Sequence, residues 1–342
     1  MSKIINVHTH YQPESVLEIV KPYDIEMIDR DGDWYFRSGS AEYLVPNSGG
    51  LSKFWGQNLD AQIPEMDSNG IDINVLQPSP MVFSYHLKPE VNKAFSEAFN
   101  NETARHIADH PDRFWGSAQL PMQDLDMAAA ELERAVTDLA LKSCSVGYVL
   151  GANSTLADPA CDEFLATAAR LDVPILLHPV ALGQDIDLRT GGAEWLTKYQ
   201  VDWAWGYLFS ETAAVVGMIF GGALDRHPNL RLMIPHGGGM IPYQVGRLRY
   251  LGQVYFSKGG SLERDPVEYL DRFYFDTVVH EPASLELLID VMGADNVVMG
   301  SNYPGWDNAP IWETIKGLDL DQTQKEKVLG RTAAERLFRE EV

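Results

Sequence analysis

The sequence is poor in positive charge and in cysteine, and it contains no long apolar run. Its 342 residues include 27 Lys and Arg against 49 Asp and Glu, so the formal net charge is −22 at pH 7. A surface of this sign repels nucleic-acid phosphates and anionic lipids, and we therefore expect no nucleic-acid partner and no membrane partner. If the substrate is an anion, a local cluster of arginines must overcome this field.

Cysteine is nearly absent, because the chain has only Cys144 and Cys161. Two residues are too few for a disulfide framework, and their spacing is not that of a zinc-binding pair. We expect both to be buried thiols in a reducing compartment. The chain has no signal-peptide pattern and no apolar run of about 18 residues, so we expect a cytoplasmic protein.

The sequence does contain a series of short apolar runs that alternate with helical stretches. Each run is apolar throughout, as in parallel strands that are covered on both faces. Eight repeats of strand and helix predict a single (β/α)8 TIM-barrel domain over residues 1–342. The chain should end in two short helices, 321–329 and 331–338, with Gly330 as the cap between them. The predicted strands are 4–10, 73–79, 114–120, 144–150, 173–178, 231–236, 273–279 and 297–302. The predicted helices between them are 88–109, 124–141, 154–171, 211–226 and 283–292.

Residues 22–60 do not fit this alternation. The segment is rich in Tyr, Trp, Gly and Asp, and it separates the first strand from its helix. Short β-prone runs flank Asp31-Gly32, which predicts a hairpin turn there. We expect a small insertion that lies over the barrel mouth, where loops carry function.

Polar side chains close several of the otherwise apolar strands. The carboxyl ends of barrel strands converge on one rim, where catalytic groups sit. A single histidine at a strand end is usually a satisfied polar residue, but here four of the nine histidines occupy equivalent positions. The sequence therefore predicts a shared metal site. The strand-end residues are His8, His10, His178, His236 and Asn302.

Three imidazoles favour zinc, or another divalent first-row metal such as manganese, over calcium and magnesium. The fourth strand supplies no anion that could bridge two ions, so we expect one metal. His236 precedes Gly237-Gly238-Gly239, which would let a backbone approach a ligand closely and leave the imidazole accessible. It suits a general acid or base beside the metal. The alternatives are a fourth metal ligand or a hydrogen bond at the rim.

With these motifs the chain resembles the metal-dependent amidohydrolase superfamily, in the branch of aminocarboxymuconate-semialdehyde decarboxylase and related aromatic-acid decarboxylases. The similarity covers nearly the whole chain outside 22–60. Its most specific stretches are His178-Pro179, His236-Gly237-Gly238-Gly239 with Val245-Gly246-Arg247, and Gly300-Ser301-Asn302-Tyr303-Pro304.

The resemblance implies roles for individual residues. His8, His10 and His178 would bind the metal, and His236 would be the acid or base. Arg247 matches an arginine that family members donate to the substrate carboxylate of the neighbouring subunit, which implies a homodimer or a higher homo-oligomer.

Arg37 resembles a second carboxylate-binding arginine, although the spacing there differs by one residue. Paired contacts between a guanidinium and a carboxylate explain the use of arginine at both positions. For Arg37 and for Arg247, the alternative is a solvated surface residue.

The chain departs from the family pattern at Asn302, where family members have Asp. An aspartate is an anionic metal ligand and can carry a proton, whereas an amide coordinates only through its carbonyl oxygen and adds no charge. Asn302 is thus the expected fourth ligand and a catalytic position with altered chemistry. Either this chain carries an inactivating substitution, which we favour, or it works without that acid.

The leading hypothesis is non-oxidative decarboxylation of a small aromatic or unsaturated carboxylic acid, with the metal activating either water or the substrate. One alternative is a metal-dependent hydrolase or hydratase that acts on a ring-cleavage product, a lactone or an amide. Another is a binding protein that lost its chemistry at Asn302. The remaining pocket candidates, each of which could instead be a core or surface residue, are Phe83, Trp203, Tyr303 and His280.

Overall fold

The computed structural model is built around eight parallel strands. It describes residues 2–31, 33–38, 41–45, 59–151, 154–180, 205–304 and 309–341. The barrel strands are β1 (Ile5–Tyr11), β2 (Ile73–Pro78), β3 (Phe114–Ala118), β4 (Ser143–Val146), β5 (Ile175–Leu177), β6 (Leu232–Ile234), β7 (Phe273–Asp276) and β8 (Val297–Val298). Neighbours in the sheet follow the order of the chain. The backbone N–H of Val7 donates to the carbonyl of Met299 at 2.8 Å, and Thr9 bridges Tyr303, so the last strand meets the first. The predicted (β/α)8 barrel is confirmed.

Helices fill the segments between the strands and cover the barrel. They are α1 (Glu14–Val20), α2 (Leu59–Asn69), α3 (Pro89–Asp109), α4 (Leu125–Thr137), α5 (Asp162–Arg170), α6 (Tyr207–Phe220), α7 (Ala223–Arg226), α8 (Ile241–Ser257), α9 (Pro282–Met292), α10 (Ile311–Gly317) and α11 (Gln322–Glu326). The helix predicted at 154–171 begins later, because Pro159 opens a 3-10 turn before it. No helix in the described part of the chain is both long enough and apolar enough to span a bilayer.

Two apolar layers hold the barrel together. One lies between the strands and the surrounding helices, and the other fills the barrel interior. The C-terminal segment belongs to the interior layer, since Leu337 and Phe338 pack with Ile5 and Val7 of β1. Those residues lie near the start of β1, so the end of the chain closes the barrel at the amino ends of its strands. The opposite rim is left for the site.

The cap predicted at Gly330 is wrong. The helical conformation runs on from α11 through Lys327–Arg331 and Ala333–Phe338 as π-helix, with Gly330 buried inside it. A Cβ atom at Gly330 would lie 1.9 Å from the carbonyl oxygen of Lys3. The glycine is therefore needed because the C-terminal helix crosses the backbone before β1 at very short range, not because a helix ends there.

The insertion contains a three-stranded antiparallel sheet, formed by Ile25–Arg30, Asp33–Ser38 and Ala41–Val45. Arg30 pairs with Asp33 across the first turn, which confirms the hairpin expected at Asp31-Gly32. The third strand was not foreseen. Residues 46–58 lie outside the described part, and the placement of the insertion over the barrel mouth stays a prediction.

The close crossing at Gly330 predicts a clear effect on stability. We expect Gly330→Ala to lower the melting temperature, because the backbone of Lys3 must move to admit the methyl group, at a cost of about 1–3 kcal/mol. Gly317→Ala is the matched control, since a Cβ at Gly317 meets nothing within 4 Å. Thermal unfolding followed by circular dichroism measures both. Equal melting temperatures for the two variants would contradict the crossing.

Candidate active site

Three histidines converge at the carboxyl ends of the strands. His8 and His10 lie on β1, His178 directly follows β5, and all three side chains are buried. One ligand nitrogen from each ring lies within 4.8 Å of the other two. The Nε2 atoms of His8 and His10 are 3.3 Å apart. Two imidazole nitrogens bound tetrahedrally to one zinc ion at about 2.0–2.1 Å would be about 3.3–3.4 Å apart. The cluster therefore has the spacing of a metal site, and a single divalent ion fits it.

Hydrogen bonds donated by Nδ1 orient two of these rings. His8 Nδ1 lies 2.5 Å from Asp276 Oδ2, and His178 Nδ1 lies 2.9 Å from the carbonyl oxygen of Pro179. Because both acceptors need a proton on Nδ1, each ring keeps Nε2 unprotonated for a metal. Burial and the neighbouring imidazoles hold the pKa of His178 well below its ordinary value. A neutral imidazole is the form that binds metals.

Asp276 ends β7 and was not identified from the sequence. Its side chain is completely buried. While Oδ2 accepts from His8, Oδ1 accepts from the backbone N–H groups of Gly237 at 3.1 Å and Val278 at 3.0 Å. One carboxylate thus links a predicted metal ligand to the turn that carries His236. The available signal was an acidic residue that closes an apolar strand at the same level as the histidines.

The backbone at His236 makes an unusual turn. His236 itself has φ +47°, and Gly237, Gly238 and Gly239 also have positive φ. A Cβ at Gly238 would lie 2.3 Å from the ring of Phe275, and one at Gly239 would lie 2.2 Å from the carbonyl oxygen of Leu208. The glycines thus allow the turn to pack against β7 and α6. This turn places the His236 ring 5.3 Å from that of His8 and 5.6 Å from that of His178.

Two residues of α6 surround His236, and neither was identified from the sequence. Glu211 Oε1 accepts from His236 Nδ1 at 2.6 Å. Burial raises the pKa of Glu211 to about 7, although His236 opposes that shift. The Tyr207 ring lies nearly parallel to that of His236, at 6.1 Å and 15°. In sequence, Glu211 was visible as the one charged residue within the apolar run 207–220.

Asn302 follows β8 and is buried, with a left-handed backbone at φ +55°. The adjacent Ser301 is held by Asn6, which donates to its hydroxyl at 2.8 Å and accepts from its backbone N–H at 3.0 Å. This pair anchors the backbone next to residue 302. The ligand and catalytic roles of Asn302 stay predictions.

The two candidate arginines occupy different parts of the molecule. Arg37 lies in the second strand of the insertion and pairs with the carboxylate of Glu26 on the neighbouring strand. Arg247 lies on α8 and is exposed. Glu26 engages one nitrogen of the Arg37 guanidinium, whereas Arg247 is accessible to another subunit.

The other pocket candidates are spread through the fold. Phe83 is buried and stacks on Tyr85 with 5.7 Å between ring centroids. Tyr303 is partly buried, and its hydroxyl donates to Glu65 Oε2 at 3.2 Å. His280 is exposed in the loop after β7. Trp203 lies outside the described residues.

Comparison with known proteins identifies the family. A profile of the amidohydrolase family matches residues 5–339. This chain belongs to that family. The amidohydrolase resemblance inferred from the histidine motifs is thereby confirmed.

Curated relatives of this amidohydrolase are mostly decarboxylases. It is 29% identical to 2-amino-3-carboxymuconate-6-semialdehyde decarboxylase of Dictyostelium discoideum, over 97% of this chain and 90% of that protein. It is also 29% identical to gamma-resorcylate decarboxylase of Rhodococcus jostii, over 82% and 87%. A third relative at 29% identity, over 75% and 70%, is 2-keto-4-carboxy-3-hexenedioate hydratase of Sphingobium sp.. The prediction of an amidohydrolase-superfamily decarboxylase is supported at this level.

Solved structures show the same fold. The amidohydrolase superposes on 5-carboxyvanillate decarboxylase from Sphingomonas paucimobilis with a TM-score of 0.84 and 24% identity, over 100% of both chains. A dihydroxybenzoic acid decarboxylase from Polaromonas sp., with bound manganese, gives a TM-score of 0.76 and 22% identity, over 99% of this chain and 97% of that one.

Asp276 gives the site a direct test. In Asp276→Asn, the backbone N–H groups of Gly237 and Val278 need an acceptor, so the amide oxygen should face them. The NH2 group then faces His8 Nδ1 and favours the His8 tautomer with its proton on Nε2. We expect zinc affinity to fall about 10–100-fold. Competition with a chromophoric chelator measures this loss, and Asp290→Asn on the exposed face of α9 is the control. If Asp276→Asn bound zinc like the control, Asp276 would not orient His8.

Proposed function

We propose that the protein catalyses metal-dependent, non-oxidative decarboxylation of a small aromatic or unsaturated carboxylic acid. The observation that carries this proposal is the convergence of His8, His10 and His178 with a fourth imidazole, His236, beside them. Such a site combines a place for a cation with a separate group for proton transfer. Two of the three curated relatives compared above are named as decarboxylases, which supports the same chemistry.

His8, His10 and His178 would hold the metal, and Asn302 would add its carbonyl oxygen. When bound, the metal supplies Lewis acidity toward substrate oxygens. We propose zinc because three nitrogen ligands dominate the set, although imidazole sites also accept manganese. The manganese bound in the Polaromonas decarboxylase supports that ion as the alternative.

His236 would act as the general acid or base. Its Nδ1 is engaged by Glu211, and we propose that Nε2 is the nitrogen that faces substrate. From there it can protonate the carbon that loses the carboxylate, or take a proton from water that adds to an unsaturated carbon. Apolar residues such as Leu337 and Phe338 close the barrel floor, so water would approach the site from the rim.

A homodimer would complete the site. The helix α8 presents an apolar face to solvent, with Tyr243 76% exposed, Tyr250 71% exposed, and Leu251 and Val254 also exposed. Contiguous apolar surface of this kind marks interaction sites. Arg247 lies on the same helix, so a second subunit seated there would bring this arginine across the interface. The partner we propose is therefore another copy of this chain.

A cytoplasmic location is consistent with the cysteine chemistry. Cys144 and Cys161 are both buried free thiols, and burial raises the pKa of Cys161 to about 11. Thiols of this kind are unreactive and need no oxidising compartment. We therefore propose a reducing environment for the protein.

The second candidate is hydration or hydrolysis of a ring-cleavage product. The hydratase of Sphingobium sp. has the same 29% identity as the two decarboxylases, although over a smaller part of both chains. Hydration or hydrolysis by this protein would use the same metal site and His236. The replacement of the family aspartate by Asn302 bears on both candidates, because it removes an acid from the site.

The deciding experiment measures carbon dioxide. Chelator-treated protein would be reloaded with Zn²⁺ or Mn²⁺ and assayed with gamma-resorcylate and 5-carboxyvanillate, in the unmodified chain and in Asn302→Asp. We expect one carbon dioxide per substrate consumed, and about 10²-fold faster turnover in Asn302→Asp because a proton-carrying acid is restored. Metal-free protein is the control.

Other outcomes would point elsewhere. Consumption of a lactone or ring-cleavage product without carbon dioxide would favour the hydratase or hydrolase. An unchanged or lower rate in Asn302→Asp would contradict the view that Asn302 disables the site. If metal-replete Asn302→Asp turned over none of these compounds, a binding role would gain support.

Mixing subunits tests the role of Arg247. If Arg247 serves the neighbouring site, a dimer of His236→Asn and Arg247→Gln chains has one damaged site and one intact site. Co-expression at equal levels should then restore about a quarter of full activity, since half of the dimers are mixed. His236→Asn co-expressed with His178→Ala is the control, and it should recover nothing. No recovery in the first pair would place Arg247 outside the neighbouring site.

A further inference from the structure

Glu211 is the buried acid that lies behind the histidine cluster. Its carboxylate, only 2% exposed, contacts His236 at 2.6 Å, on the ring nitrogen that points away from substrate in the proposed function. We propose that Glu211 is the positioning residue of His236, because it holds the proton on Nδ1 and so leaves Nε2 as the nitrogen that exchanges protons with substrate. This inference rests on the proposed role of His236 and adds the group that sets its tautomer.

The backbone alone cannot fix the imidazole. The left-handed turn at His236 sets the direction of its side chain. The angle χ2, which orients the imidazole, has a broad and roughly two-fold distribution in histidine. Tyr207 restricts the plane of the ring by lying parallel to it. A parallel neighbour does not distinguish one ring nitrogen from the other, whereas an ionised carboxylate accepts only from a protonated one. The contact of Nδ1 with Glu211 does distinguish the two nitrogens.

Burial of an acid at this position also points to a specific role. The following turns of α6 bury Ala214, Val215 and Met218, so packing alone would favour an apolar residue at 211. Glu211 Oε2 has no hydrogen-bond partner among the described residues, and His236 is the main influence that opposes the burial of its charge. A carboxylate kept in such surroundings is typical of functional sites.

The test reads the tautomer directly. The full chain, labelled with 15N-histidine and loaded with diamagnetic Zn²⁺, would be studied by NMR in mildly alkaline buffer, and His236→Gln would identify the signal of residue 236. We expect the proton on Nδ1 in the unmodified protein. In Glu211→Gln, an isosteric change that can donate as well as accept, both tautomers should appear. Ser210→Ala is the matched control, because Ser210 lines the same small cavity beside His178.

Kinetics complete the test. In Glu211→Gln we expect kcat to fall about 10–10²-fold, with KM and bound zinc unchanged, because only the proton donor is disturbed. Ser210→Ala should match the unmodified protein. A 15N spectrum and a kcat that are both unaltered in Glu211→Gln would overturn the proposal, as would a proton found on Nε2 of His236 in the unmodified protein.

The two readouts separate this inference from the proposed function. If no substrate is decarboxylated but the tautomer of His236 depends on Glu211, the proposed function fails and the positioning role stands. If carbon dioxide is released but the tautomer of His236 and kcat are the same in Glu211→Gln as in the unmodified protein, the function stands and the inference fails. A fall in bound zinc in Glu211→Gln would show instead that Glu211 supports the metal ligands, and it would also overturn the proposal.

Discussion

The site depends on one buried carboxylate. Asp276 holds the Nδ1 proton of His8 on one side and two backbone N–H groups on the other, one of them from the turn after His236. A carboxylate that accepts three hydrogen bonds is fixed in orientation, so it fixes the groups that donate to it. Asp276 on β7 thereby holds β1 and the turn after β6 at a fixed distance from each other. The spacing between His8 and the turn that carries His236 is kept for this reason.

Charge balance explains why two acids stand behind the imidazoles. A cation held by three neutral imidazoles and the amide of Asn302 would have no anion among its ligands. Asp276 behind His8 and Glu211 behind His236 place negative charge one ring away. Carboxylates in this position make the ligating imidazole more basic and set its tautomer. With Asn at 302, Asp276 and Glu211 contact the cluster through histidine.

Much of this could be predicted from the sequence, because strand ends in a parallel barrel meet at one rim. Periodicity predicts all eight strands, and the rule for strand ends predicts that the histidines meet. Asp276 and Glu211 were missed because each looked like part of an apolar element rather than part of a motif. Gly330 was misassigned for a related reason: a glycine in a helical pattern signals either an end or a close crossing. Only the distance to the backbone of Lys3 decides between them.

The substrate is harder to predict because the residues proposed to contact it lie outside the barrel framework. The strand-end groups are buried and held by hydrogen bonds, whereas Arg37 lies in the inserted sheet and Arg247 on an exposed helix. With a net charge of −22, the protein as a whole repels a carboxylate, so recognition must come from arginines at contact range. The barrel would therefore position the reactive groups. The insertion and the neighbouring subunit would determine which carboxylic acid binds. Similar strand ends can then serve relatives with different names, decarboxylases and a hydratase alike.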